Sequence, residues 1–216
     1  MIKAVIFDLD GTLTDTLESM AVAGNKTLKS VGLEPRSIEE YKSFAGDGAD
    51  TLVQRMLIAA GDTKLEKFDE AYNNYMREFA LDCTHNVAIY EGINELLLEL
   101  KKRGIKMAVL SNKPHQRALQ VVYKFFGESM FNIVFGHMDG VDKKPDPSLA
   151  IKISKMLGVG QNEVMYIGDT DVDMMTGVNA KMKTVGVLWG FREKEELIEY
   201  GAEYIVSRPE EILEIL

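Results

Sequence analysis

Cysteine is nearly missing from this chain. One residue of that type, Cys83, among 216 leaves no intramolecular disulfide and no multi-cysteine metal site, and it fits a reducing compartment. Histidine is scarce too: His85, His115 and His137 are not spaced as ligands of one ion. Positive charge is outnumbered, with 25 Lys+Arg against 34 Asp+Glu and a formal net charge of −9. No basic run exceeds Lys101-Lys102-Arg103, which argues against a nucleic-acid partner, since phosphate backbones are bound through clustered cations. No apolar run approaches the roughly 18 residues of a membrane span, and the start of the chain reaches Asp8 too soon for a signal-peptide core. The expectation is a cytoplasmic protein without membrane or nucleic-acid partners and of open oligomeric state.

What is present is an ordinary globular mixture, 46% hydrophobic and 27% charged, long enough to bury roughly 70% of its unfolded surface. Short β-branched runs at 4–9, 105–110, 133–135, 164–167, 184–188 and 204–206 read as buried strands. Amphipathic helices alternate with most of them. Ile93, Leu96, Leu97 and Leu100 form one apolar face, closed by Gly104. Leu119, Val122, Tyr123 and Phe126 form another, closed by Gly127. Asp146-Pro147 reads as an N-cap followed by proline at the first helical position, with Leu149, Ile153, Met156 and Leu157 inward. Alternation of this kind predicts a doubly wound, mostly parallel α/β sheet. Residues 15–85 break the rhythm with helical stretches only, at about 17–31, 37–44 (opened by a Ser37/Glu40 capping box), 50–60 and 65–81. The domain reading is therefore a catalytic core of 1–14 and 86–216, with a small helical bundle of 15–85 inserted after the first strand.

Ligands of such sheets bind beyond the carboxyl ends of the strands. Those ends carry Asp8-Leu9-Asp10-Gly11-Thr12, Ser111-Asn112-Lys113, Lys143-Lys144-Pro145-Asp146 and Gly168-Asp169-Thr170-Asp171-Val172-Asp173. Taken singly, Asp10-Gly11 reads as a turn, Ser111 as an N-cap, Lys144 as a solvated cation, and Asp169 with Asp173 as helix-terminus charges. Together they are costly, because carboxylates meeting on a low-dielectric rim repel unless a cation lies between them. Oxygen donors alone select a hard ion such as Mg²⁺. A carboxylate attacking a phosphate monoester needs such positive charge, and a second acid two residues on can serve the leaving group and the attacking water.

With these four segments in this order, the chain resembles the haloacid dehalogenase superfamily of phosphatases along essentially its whole length. The resemblance implies that Asp8 is the nucleophile and Asp10 the general acid/base. It implies that Asp8, the Asp10 carbonyl and Asp169 bind Mg²⁺, with Asp173 supporting the metal or its waters. Thr12, Ser111, Asn112 and Lys144 would hold the phosphoryl group of a small organophosphate; Lys143 is the alternative lysine. The insertion would be the family's helical cap. Within the superfamily, residues 44–48, 111–115, 143–147 and 185–191 are most similar to phosphoglycolate phosphatases. Pyrophosphatases and sugar-phosphate phosphatases share several of these cues. A β-phosphoglucomutase would need a cation soon after Gly46, where none occurs before Arg55, and a dehalogenase would not need Asp10. A non-catalytic binding or regulatory module on the same fold would have lost a catalytic position, and none is replaced.

Overall fold

The computed structural model describes residues 1–216. Its first strand, β1 (Ala4–Phe7), is buried throughout, because a parallel strand covered on both faces has no solvent side for polar residues. The chain continues through β2 (Thr14–Asp15), α1 (Leu17–Ser30), α2 (Glu40–Phe44), α3 (Ala49–Ala59) and α4 (Phe68–Leu81), then returns through β3 (Ala88–Ile89). Next come α5 (Ile93–Lys102), β4 (Lys106–Pro114), α6 (His115–Phe126), β5 (Ile133–His137) and α7 (Ser148–Leu157). The chain ends with β6 (Val164–Gly168), α8 (Asp171–Asn179), β7 (Lys183–Val187), α9 (Lys194–Glu199), β8 (Tyr204–Val206) and a terminal 3₁₀ turn.

Six strands form one sheet in the order β5-β4-β1-β6-β7-β8, and every neighbouring pair is parallel. After β1 the chain winds outward through β4 and β5, then crosses to β6 on the other side. Connections from β1 and β6 therefore leave in opposite directions, and a crevice opens at their carboxyl ends. Val5, Phe7, Val109 and Ile167 point to one face, covered by Ile93 and Leu97 of α5 and by Val121 and Val122 of α6. Ala4, Ile6, Leu110 and Tyr166 point to the other, covered by Ile153 and Leu157 of α7. Period-two alternation along each strand produces this division.

The four helices between β2 and β3 build their own apolar centre from Leu28, Tyr41, Met56, Leu57 and Tyr75, continuous with the α5–α6 layer. Tyr41 packs against α1 at Gly24, where a Cβ would overlap the phenol oxygen. The Tyr41 hydroxyl donates to Asn25 Oδ1 at 3.1 Å.

Several local expectations shift. Residues 15–85 were expected to be free of strand, yet Asp15 belongs to β2, which pairs antiparallel with β3; two residues carry no readable alternation. β4 runs on to Pro114 rather than ending at 110; its pairing with β5 loses register after Leu110 and resumes at Pro114, opposite His137. Tyr123 and Met156 face solvent at 43% and 57% exposure, because the buried stripes are Ala118-Val121-Val122 in α6 and Leu149-Ile153-Leu157 in α7. Helix α7 starts one residue later than expected, at Ser148 after Pro147, although Asp146 still accepts the Ser148 N–H at 2.9 Å. Helix α2 begins at Glu40, yet the Ser37/Glu40 box forms just before it: the Ser37 N–H donates to Glu40 Oε2 at 2.9 Å and the Glu40 N–H to Ser37 Oγ at 3.4 Å.

Candidate active site

Asp8 leaves the end of β1, and Asp169 leaves the end of β6, on either side of the crevice. Asp173 sits one turn into α8, where it completes a capping box with Thr170. Its Oδ2 accepts from Thr170 Oγ1 at 2.7 Å and from the Thr170 N–H at 3.1 Å. Asp8, Asp169 and Asp173 each bring a carboxylate oxygen within 4.8 Å of the other two. Lys144 enters between them: its Nζ donates to Asp173 Oδ1 at 2.7 Å and lies 2.9 Å from Asp8 Oδ1. The latter is an ion pair without hydrogen-bond alignment, so Asp8 Oδ1 is buried with no hydrogen-bond partner.

Asp169 is fully buried and is fixed from both sides. Its Oδ1 accepts from Thr12 Oγ1 at 2.7 Å and its Oδ2 from the Phe191 N–H at 2.9 Å. Gly11 (φ +87°) and Gly190 press against it so closely that a Cβ on either would overlap its carboxylate. Thr12 is thus spent on Asp169. Expected on the phosphoryl group, it lies away from the cavity, because a fully buried hydroxyl takes the nearest strong acceptor. Asn112 is likewise spent on main chain: its Oδ1 accepts from the Lys144 N–H at 2.9 Å, and its Nδ2 donates to the carbonyls of Lys144 and Gly46. Lys143 points elsewhere, to Asp50 Oδ1 at 2.6 Å and the Asp47 carbonyl at 3.0 Å. Of the two adjacent lysines, Lys144 is the one that reaches the carboxylates.

Burial, and then the charge of Asp173, push the Asp8 carboxyl up to about 7 despite the opposing Lys144. Burial and the neighbouring Asp173 and Asp8 raise Asp169 well above the usual carboxylate range. Three buried carboxylates against one ammonium leave surplus negative charge in a dry rim. With oxygen donors only, and with Asp8 Oδ1 unpartnered, these residues fit a hard divalent cation.

A family model described as haloacid dehalogenase-like hydrolase matches residues 5–187. The chain belongs to that family. It is 30% identical to a phosphoglycolate phosphatase of Aquifex aeolicus over 99% of this chain and 96% of that protein. A phosphoglycolate phosphatase of Rhodobacter capsulatus is 31% identical over 89% of this chain and 87% of its own. The crystal structure of a predicted phosphoglycolate phosphatase from Haemophilus somnus superposes with a TM-score of 0.91 at 25% identity, covering 99% and 97% of the two chains. This haloacid dehalogenase-like hydrolase is therefore phosphoglycolate phosphatase-like along its full length.

In the hydrolase, a cavity lies between the sheet rim and the helical insertion, lined by Asp8, Asp10, Ser111, Asn112 and Lys113 below and by Met20, Leu52, Tyr75 and Phe79 above. Sequence reasoning passed over two residues here. Lys113 grips Asp10, with Nζ at 2.9 and 3.0 Å from its two carboxylate oxygens. Ser111 and Lys113 both reach the cavity from the stretch where β4 loses register with β5, so alternation along the strand does not announce the contact. Arg192, in the loop after β7, donates to the carbonyls of Lys42 and Ala45 at the end of α2. Those partners lie about 150 positions away, and no local pattern announces them.

Proposed function

We infer that this hydrolase cleaves a small phosphate monoester of the phosphoglycolate class through a phosphorylated Asp8, with Mg²⁺ at the carboxylate rim and residues 15–85 acting as a cap. The observation that carries the reading is that Asp8 and Asp10 line one cavity, with Lys144 against the first and Lys113 against the second. Asp8 Oδ attacks phosphorus in line and expels the alkoxide, to which Asp10 gives its proton. In the second half Asp10 takes a proton from water, which displaces the phosphoryl group from Asp8. Lys144 neutralises phosphoryl oxygens as well as the nucleophile, and Ser111, on the cavity wall, is positioned to donate to a further oxygen. When bound, Mg²⁺ supplies the charge that lets a carboxylate approach an anionic phosphate. Asp8, Asp169 and the Asp10 carbonyl would hold it, while Asp173 keeps Lys144 in place.

A mutase reading lacks support in the insertion, because Arg55 is turned to Asp47 at 2.6 Å and to the carbonyls of Ser43 and Phe44 rather than into the cavity. A hydrolysis panel of phosphoglycolate, pyrophosphate, hexose phosphates and nucleoside monophosphates with Mg²⁺ tests the assignment. Phosphoglycolate should give the highest kcat/KM; a higher value for pyrophosphate or a hexose phosphate refutes the substrate class.

EDTA should abolish turnover and Mg²⁺ restore it. Asp169→Ala should raise the Mg²⁺ concentration for half-maximal rate by at least about tenfold, the scale of lesions around metal sites. Full activity in chelator would remove the metal from the mechanism.

The cap reading predicts a second effect. Three core side chains hold the 42–47 segment: Arg192 on the Lys42 and Ala45 carbonyls, Asn112 on Gly46, and Lys143 on Asp47. Arg192→Ala should lower kcat/KM by roughly 10–100-fold, the value of one or two charge-assisted hydrogen bonds. Arg192→Lys should rescue it poorly, since an ammonium cannot reproduce the planar fork. Unchanged kinetics in Arg192→Ala would show that this contact does not govern closure.

A further inference from the structure

Lys113 is the one cationic side chain lining the cavity. Its side chain is 2% exposed, and burying an ammonium is costly unless every donor is used. An ammonium carries three N–H donors. Asp10, chelated at 2.9 and 3.0 Å, takes at most two of them. No other acceptor lies within hydrogen-bond range of Nζ; its remaining neighbour is the face of Phe79, with the ring centroid at 4.7 Å. The ammonium therefore stands between the proposed proton donor and the apolar wall of the insertion, and part of its valence is unspent.

Resting on the phosphatase reading above, we propose that Lys113 forms a leaving-group subsite that selects phosphate esters whose leaving group carries a carboxylate close to the ester oxygen. The argument is one of reach. Protonation of the leaving group puts its oxygen within hydrogen-bond distance of the Asp10 carboxyl, and Lys113 touches both oxygens of that same carboxyl. Two hydrogen bonds in series hold the ester oxygen within about 6 Å of Nζ. A carboxylate one carbon away from that oxygen spans the interval and meets the free donor. A neutral leaving group gains no ion pair there, because the facing wall is Met20, Leu52, Tyr75 and Phe79 and carries no other charge. Beside an ammonium whose side chain is 2% exposed, the added ion pair is worth more than at a surface. Other cations near the insertion are already committed, Lys143 to Asp50 and Arg55 to Asp47, and neither lines the cavity.

The test compares two esters of equal size, phosphoglycolate and its neutral amide, phosphoglycolamide, as substrates of wild type, Lys113→Met and Lys113→Gln. Wild type should prefer the carboxylate on the order of 10²-fold in kcat/KM, the scale of a desolvated charge pair. Both variants should bring the two esters within a few-fold of one another, chiefly by losing the carboxylate substrate. A residue that only holds Asp10 in position would slow both esters equally and leave the preference intact; that result overturns the subsite. Equal wild-type rates on the two esters overturn it as well. Should the variants fold poorly, calorimetric binding of both esters to folded Asp8→Asn protein gives the same comparison in the wild-type subsite, and equal affinities there refute the proposal. A wild type active on a hexose phosphate but inactive on both esters would overturn the subsite together with the substrate class, whereas a wild type inactive on every phosphate ester would defeat the phosphatase reading on which the subsite rests.

Discussion

Asp10→Asn protein, given an aryl phosphate, is expected to stop half-way with the phosphoryl group on Asp8. An aryloxide leaves with little acid help, so the first displacement proceeds. The second needs a base for water, and an amide offers none. Each role contributes roughly 10²–10⁴-fold, so an alkyl ester should suffer both losses and an aryl ester mainly the second. Asp8→Asn should show neither turnover nor phosphorylation, since an amide does not attack phosphorus. Rapid quench with intact-mass measurement, or hydroxylamine trapping, reads the adduct directly. A phosphoryl group on another residue, or wild-type turnover in Asp10→Asn, would overturn the assignment.

Lys144→Met is expected to damage stability as severely as activity. The lysine is the sole ammonium among Asp8, Asp169 and Asp173; its Nζ contacts Asp8 and Asp173 and its side chain is 2% exposed. Although burial works against its charge, Asp173 and Asp8 hold its pKa well above the usual lysine range. Removing one partner of a buried charge set costs about 3–5 kcal/mol, and losing a donor to the phosphoryl group costs roughly 10²–10³-fold in kcat. The penalty should depend on pH in a defined direction. Asp8 titrates near 7 in the fold against about 3.9 in an unfolded chain. The stability tied to its neutral form is complete below pH 4 and is lost as pH rises through 7. Without Lys144 the ionised carboxylates are worse off still, so the melting-temperature gap to wild type, measured in EDTA, should be larger at pH 8 than at pH 5. A gap of the opposite order would mean that the lysine does not compensate this charge.

The sheet was legible because its strands are continuous apolar runs, and the rim because four strand ends carry polar clusters: Asp8-Leu9-Asp10 is visible as chemistry before any coordinate. Roles within the rim were less legible, since they depend on which acceptor is nearest. Thr12 and Asn112 look like phosphate ligands by type, yet one is fixed to Asp169 and the other ties the Lys144 loop to Gly46. The Lys144-Pro145 register favours Lys144 over its neighbour, and the backbone turns Lys144 to Asp8 and Asp173 and Lys143 to Asp50. The β2–β3 pair was invisible because two residues are too few for alternation, and Arg192 because its partners are carbonyls, which every residue has.

That last point bears on how this protein can change. Arg192, Asn112 and Lys143 all take hold of the 42–47 segment by its peptide oxygens. A grip on the main chain is indifferent to what the gripped residues are. Ala45 and Ala49, whose side chains border the cavity, are thereby relieved of holding the insertion down. Gly46 and Gly48 stay constrained by their positive φ of 113° and 95°, but their alanine neighbours are open to exchange. The grip and the cavity border are thus written in different atoms of neighbouring residues, and a library confined to positions 45 and 49 is expected to alter which substrates are accepted while the main-chain hold on residues 42–47 persists.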